Sequence, residues 1–259
     1  MKIFFLFFLV YFSPIGAEEN SPSSPVQETK PFVVFTPPTG WKLAPKENLP
    51  SSMITMVVGK GSFSLPPTIN LTTEPYKKSL KDYLKIVKNI NSEQGYDWKD
   101  LGMIRTQSGN GHLSQVDTKS QWGEVREMRV ILLKEKQIYI LTALALKEEF
   151  SLFYKDFFTS FRSLRIVNDL YDILPPQERK KLKEQVAILE NKWKQQLANN
   201  AEKKTNQQVF ESKEFQEDIW TPFIAQCKEQ YKELDKEWLS LFLDNLYREE
   251  LIKTNDHPM

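Results

Sequence analysis

The chain has 259 residues, 40% of them hydrophobic and 12% aromatic, which is enough apolar side chain to bury a sizeable core. Its 35 Lys and Arg stand against 34 Asp and Glu, a net charge of +1, so no global field calls for nucleic acid as a partner. Cys227 is the only cysteine, which excludes an intrachain disulfide and leaves packing to hold the fold.

Residues 1–17 read as an export signal. Lys2 gives a basic start, 3–12 an apolar core, and Ser13, Pro14, Gly16 and Ala17 a small-residue exit. The core is too short to cross a bilayer, which takes about 20 apolar residues. Cleavage is expected after Ala17, and retention as an uncleaved membrane anchor is the alternative. The product is then periplasmic or secreted. Residues 18–30 are polar and proline-containing and read as a disordered linker.

From 31 onward the pattern is structured. Strands are expected at 31–35, from Trp41 to Leu43, at 53–58 and at 68–72, with turn residues between them. A helix follows at 79–92, with Leu80, Tyr83, Leu84, Val87 and Ile90 on one face. Strands at 101–107 and 112–118 flank Ser108-Gly109-Asn110-Gly111, where Asn-Gly is the expected hairpin turn. A second hairpin, 124–133 with 137–145, turns at Lys134-Glu135-Lys136. A helix at 147–164 carries the aromatic stripe Phe150, Phe153, Tyr154, Phe157, Phe161 and Leu164. Residues 31–167 therefore read as an α+β domain, an antiparallel β-sheet packed by helices.

Residues 175–254 change character. Pro175 and Pro176 suit a helix start. Leu182, Val186, Leu189, Trp193 and Leu197 repeat at steps of three and four. After a polar stretch, Trp220, Ile224, Cys227, Tyr231, Leu234, Trp238 and Leu241 do the same. The spacing predicts a C-terminal α-helical hairpin with one buried heptad stripe. The extra apolar residues of 238–243 mark Trp238 and Phe242 as candidate partner-binding residues.

Catalytic signals are sparse. No Gly-x-Ser-x-Gly elbow occurs. His112 and His257 are the only histidines, too few for a zinc site built on them, and both read as exposed polar residues. Cys227 lies on the heptad stripe, where a thiol fills space. Glu148 and Glu149 suit a helix N-terminus and need no acid–base role. No catalytic, metal or cofactor residue is assigned. Asn70-Leu71-Thr72 fits a glycosylation sequon. The remaining signal is basic. Lys77, Lys78, Lys81, Lys85 and Lys88 cluster at the first helix, and the last three share a face expected to lie opposite the buried one. They are candidates for an acidic protein partner or an anionic membrane surface, with an ordinary solvated face as the alternative.

Several pieces together carry a resemblance. They are Pro38-Thr39-Gly40-Trp41-Lys42, the helix start Lys78-Ser79-Leu80-Lys81-Asp82-Tyr83-Leu84, and the ending Gln137-Ile138-Tyr139-Ile140-Leu141-Thr142-Ala143. The ending leads to Phe150, Tyr154, Phe157 and Phe161-Arg162-Ser163-Leu164. Residues 31–167 thereby resemble the Mog1/PsbP-like fold, which includes bacterial envelope proteins of the DcrB type; the helical tail resembles nothing in it. The resemblance implies a non-catalytic accessory, assembly or binding protein of the cell envelope, with a protein partner in the envelope or extracellular space. A membrane-surface protein using the basic helix face and aromatic tail is the alternative, and an enzyme with an unrecognised site is the second.

Overall fold

A computed structural model describes residues 31–61, 65–199, 205–232 and 236–252. The expected signal and linker, and the stripe residue Leu234, lie outside the described residues. The strands are β1 (Phe32–Val34), β2 (Lys42–Leu43), β3 (Met53–Val58), β4 (Thr68–Pro75), β5 (Asp97–Thr106), β6 (Gly109–Ser120), β7 (Gly123–Lys134), β8 (Gln137–Leu146) and β9 (Arg165–Val167). Seven of them form one sheet in the order β2-β3-β4-β8-β7-β6-β5, every neighbouring pair antiparallel. Helices α1 (Leu80–Glu93) and α2 (Phe150–Ser163) pack on it. The architecture is α+β with further helices at the C-terminal end, as the hydrophobic periodicity indicated.

Side chains alternate between the two faces of a strand. Leu71 of β4, Val130 of β7 and Leu141 and Ala143 of β8 make an apolar face, and Phe150, Phe157 and Phe161 of α2 close it. Trp41 joins this core edge-on to Phe153 and Phe157. It lies over Gly59, where a Cβ would come within 2.5 Å of the indole, and Gly40 before it takes φ +82°, a conformation that suits glycine. The intervening residues point to the second face and are more polar, among them Glu74, His112, Ser114, Glu127 and Arg129. The last two form a buried ion pair. Helix α1 covers part of this face. Its Tyr83 donates a hydrogen bond to Glu74 and meets Tyr76 edge-on at 5.1 Å.

The β5–β6 turn is not at Asn110-Gly111. Thr106 pairs with Gly109, so Gln107 and Ser108 make the turn and Gly109 supplies the positive φ of 111°. The turn is held from outside: Gln107 N–H donates to Arg162 O at 3.1 Å and Ile166 N–H to Ser108 Oγ at 2.5 Å. Gly111 is a strand residue because a Cβ there would meet Val130 Cγ1 at 2.8 Å. Tertiary packing thus overrides a local turn signal.

The tail contains α3 (Pro176–Ala198), α4 (Asn206–Phe210), α5 (Lys213–Phe215), α6 (Thr221–Gln230) and α7 (Lys236–Asn245). A π-helical turn, Gln216–Trp220, joins α5 to α6. Pro222 explains it: proline has no N–H to donate and its ring crowds the carbonyl four residues back, so the chain widens and Thr221 N–H reaches Gln216 O. The heptad reading of one continuous stripe from Trp220 to Leu241 fails further along. The helix ends at Tyr231, and Trp238, Phe242 and Leu246 belong to a further helical stretch. Ile224 and Leu241 are only half-buried, while Phe210, Phe215 and Phe223 join Leu182, Val186, Leu189 and Trp193 in the core.

This second core meets the sheet at the β1–β9 ribbon. Val33 and its register partner Ile166 belong to the sheet core, and the next residue, Val34, which pairs with Arg165, belongs to the tail core with Leu170 and Leu174. Among the described residues no helix is long and apolar enough to cross a membrane.

Two predictions follow from the strand geometry. Glu135 and Lys136 make the two-residue β7–β8 turn with φ of 52° and 59°, a left-handed pair costly for side-chain-bearing residues. Lys136→Gly should raise stability by about 1 kcal/mol, read as a higher urea midpoint at unchanged slope. Asp117 faces Arg126 across β6–β7 and accepts two bonds from its guanidinium, at 2.8 and 2.7 Å, with Lys147 at 3.5 Å. The Arg126 bond is the main reason its carboxyl titrates below the usual range. A depressed folded-state pKa gives stability that is present above the unfolded value of about 3.9 and lost as pH falls through the folded one. Asp117→Asn should lower Tm at neutral pH and shrink the fall in Tm on acidification below about pH 4.

Candidate functional site

Helix α1 starts at Ser79, whose hydroxyl accepts from Asp82 N–H at 3.2 Å and donates to the Asp82 carboxylate at 2.6 Å. Of the apolar stripe read from the sequence, Tyr83 and Val87 are buried, and Leu80, Leu84 and Ile90 are only half-buried. Leu80 and Leu84 instead face a groove of about 400 Å³, and Lys81, Lys85 and Lys88 stand on the same wall. The floor is Trp98, Asp100 and Met103 of β5 with His112 of β6. The three lysines are exposed and away from the buried Tyr83 and Val87, and what the sequence did not indicate is that their face borders an open cleft.

Strand β5 reaches this position because it begins at Asp97, earlier than the sequence expectation of 101, and carries a bulge between Asp100 and Gly102. Gly102 takes φ +83°, and its N–H donates to Asp100 Oδ1 at 2.8 Å. The bulge shifts the alternation by one, so Trp98, Asp100 and Met103 all line the groove. Met103 is 61% exposed, a large apolar side chain in water. The Trp98 indole N–H is shut away from solvent without an acceptor. His112, expected exposed, is buried, with Nε2 3.2 Å from Asp100 Oδ1 but not in hydrogen-bonding geometry. It lies at a strand position under α1, which composition alone does not reveal.

Lys81 and Lys88 have no acidic partner among the described residues, and Lys85 has only Asp82 at 3.5 Å. Such an exposed pair contributes little. Lys77 and Lys78 are exposed before the helix and do not line the groove. Trp238 and Phe242 are a correction: both are buried in the tail core rather than presented to a partner. Trp238 is 1% exposed, donates its indole N–H to Leu170 O at 2.9 Å and stacks on Phe242. The apolar excess of 238–243 is taken up by the chain's own residues, Leu170 and Tyr171. Asn70 of the sequon lies mid-strand in β4, paired on both sides. Among the described residues no group of three or more His, Cys, Asp or Glu is placed to hold a metal ion.

No family model matches the chain, and no curated protein does. Solved structures match over about half of it. LpqN of Mycobacterium tuberculosis, described as involved in cell envelope biogenesis, is 15% identical; 57% of this chain aligns with 90% of that one at a TM-score of 0.40. The cyanobacterial PsbP of Synechocystis is 9% identical over 56% of this chain and 98% of its own, TM-score 0.36. The Ran-binding protein Mog1p of Saccharomyces cerevisiae is 14% identical over 48% and 78%, TM-score 0.34. These are partial likenesses of fold.

The burial of the tail stripe gives a further expected outcome. Trp238→Ala should cost about 3–5 kcal/mol, because it removes a packed indole and orphans the Leu170 carbonyl. Burial pushes the Cys227 thiol up to about 12. The wild-type thiol should resist alkylation at pH 8 until the tail opens, and Trp238→Ala should speed that labelling.

Proposed function

We propose that this chain is an exported, non-catalytic binding protein of the cell envelope whose groove between α1 and β5 holds an apolar, acidic segment of a protein partner. The observation that carries the reading is the placement of three lysines along one wall of an open cleft that also presents Leu80, Leu84, Trp98 and Met103, with Asp100 and His112 in its floor. Leu80, Leu84, Trp98 and Met103 offer area to bury, and Lys81, Lys85 and Lys88 select the sign of what buries it. Catalysis finds less support in the same lining. Asp100 and His112 lie close, but no serine, threonine or cysteine lines the groove to act with them. Export rests on the apolar run at 3–12.

Capture from the native envelope fraction tests this. The variant Lys81→Glu/Lys85→Glu/Lys88→Glu should lose its partner, and Lys77→Glu/Lys78→Glu, which lies outside the groove, should retain it. Capture should also weaken as salt rises, because the lysines are exposed. Equal loss with both variants would mean a diffuse basic surface. If the wild type binds phosphatidylglycerol vesicles and captures no protein, the membrane-surface reading replaces this one.

A further inference from the structure

We infer that the occupant of the groove is an amphipathic α-helix of the partner, acidic along one flank; this rests on the binding role proposed above. The other ways of filling such a site are disfavoured by its geometry. An extended segment would add to the edge strand β5, but the edge is already blunted. Trp98 N–H donates to Tyr96 O at 3.0 Å, Gly102 N–H donates to Asp100 Oδ1 at 2.8 Å, and the bulge between them breaks the row. A small ligand needs a site that encloses most of its surface. This groove is open on the side where Met103 is 61% exposed.

A helix meets the remaining requirements. One wall is already a helix and the floor is a sheet, so a second helix would continue the layer. Packed helices lie about 8–10 Å apart and strands about 4.8 Å apart. An occupant beside α1 would therefore lie over β5, where the exposed Met103 and the half-buried Trp98 await cover. Leu80 and Leu84 are one turn apart and meet apolar residues spaced three and four apart on the partner. Lys81, Lys85 and Lys88 span about 10 Å along α1. That run matches Glu or Asp residues at the same three- and four-residue steps on the partner's flank. Lys81 and Lys88 have no acid partner among the described residues, so the occupant supplies one.

The test uses a fluorescent peptide of about 18 residues, long enough to form a helix when docked. It carries Leu at three- and four-residue spacing with Glu along one flank, and is paired with a scramble of the same composition. The full-length exported protein should bind the patterned peptide with a Kd on the order of 10 μM, with a rise in helical circular dichroism. Lys81→Glu/Lys85→Glu/Lys88→Glu should weaken it at least about tenfold, and a Lys-flanked version of the peptide should recover binding to that variant. Met103→Asn changes no charge and alters an exposed side chain, so it should leave folding intact and still weaken binding about tenfold. The inference is overturned if the scramble binds equally, if Met103→Asn has no effect, or if nothing binds at about 1 mM. It is also overturned if phosphatidylglycerol vesicles bind at the groove and the peptide cannot displace them. Should the native partner still need the three lysines while the peptide fails, the binding role stands and the helical occupant does not.

Discussion

The two-residue alternation of the sheet strands is the constraint from which the rest follows. Successive residues of β4, β8, β7 and β6 must face opposite ways, so the chemistry of the two faces is set independently. One face is mainly apolar and takes the aromatic stripe of α2, with the Asp117–Arg126 pair at its margin against Phe150. The other carries Glu74, Glu127, Arg129, His112 and Ser114, which a helix can bury only where it answers their hydrogen bonds. Helix α1 settles where its Tyr83 reaches Glu74, near Arg129. The same alternation works in the β1–β9 ribbon. Val33 and Val34 turn to different cores, so a three-residue strand joins the sheet to the tail.

The fold was legible where periodicity and burial agree. The β7–β8 hairpin, helix α3 and the α2 stripe apart from the exposed Tyr154 follow from spacing, because their apolar residues have a core to enter. The failures have separate causes. Asn110-Gly111 is a strong turn signal in isolation, but Gly111 is needed small against Val130 and Leu132, and the turn moves to where α2 and β9 can hold it. The tail stripe holds through Trp220, Cys227 and Tyr231 and is lost where the helix ends at Tyr231, since a heptad count assumes one unbroken helix. Trp238 and Phe242 looked surplus because their covering residues, Leu170 and Tyr171, lie far back in the chain.

The groove was only half legible. Its lysines stand out at helical spacing and are exposed, but the groove they border is not marked by that spacing. Leu80 and Leu84 were counted as buried because they share a stripe with Tyr83 and Val87, and amphipathic spacing does not say whether the sheet extends far enough to cover every member of the stripe. The floor was hidden by the bulge. Without it, Trp98 and Met103 would sit on opposite faces of β5, and no sequence pattern marks the extra residue other than Gly102 itself.

The width of the groove is fixed and not incidental. Helix α1 is held at its start by the Ser79–Asp82 cap and by Tyr83 on Glu74, and at its end by Tyr96 N–H on Asn91 O. To slide outward and cover Met103, it would have to withdraw Tyr83 from Glu74, taking a hydrogen bond from that half-buried carboxylate. The apolar strip on β5 therefore stays uncovered by the chain's own α1, with lysines standing beside it.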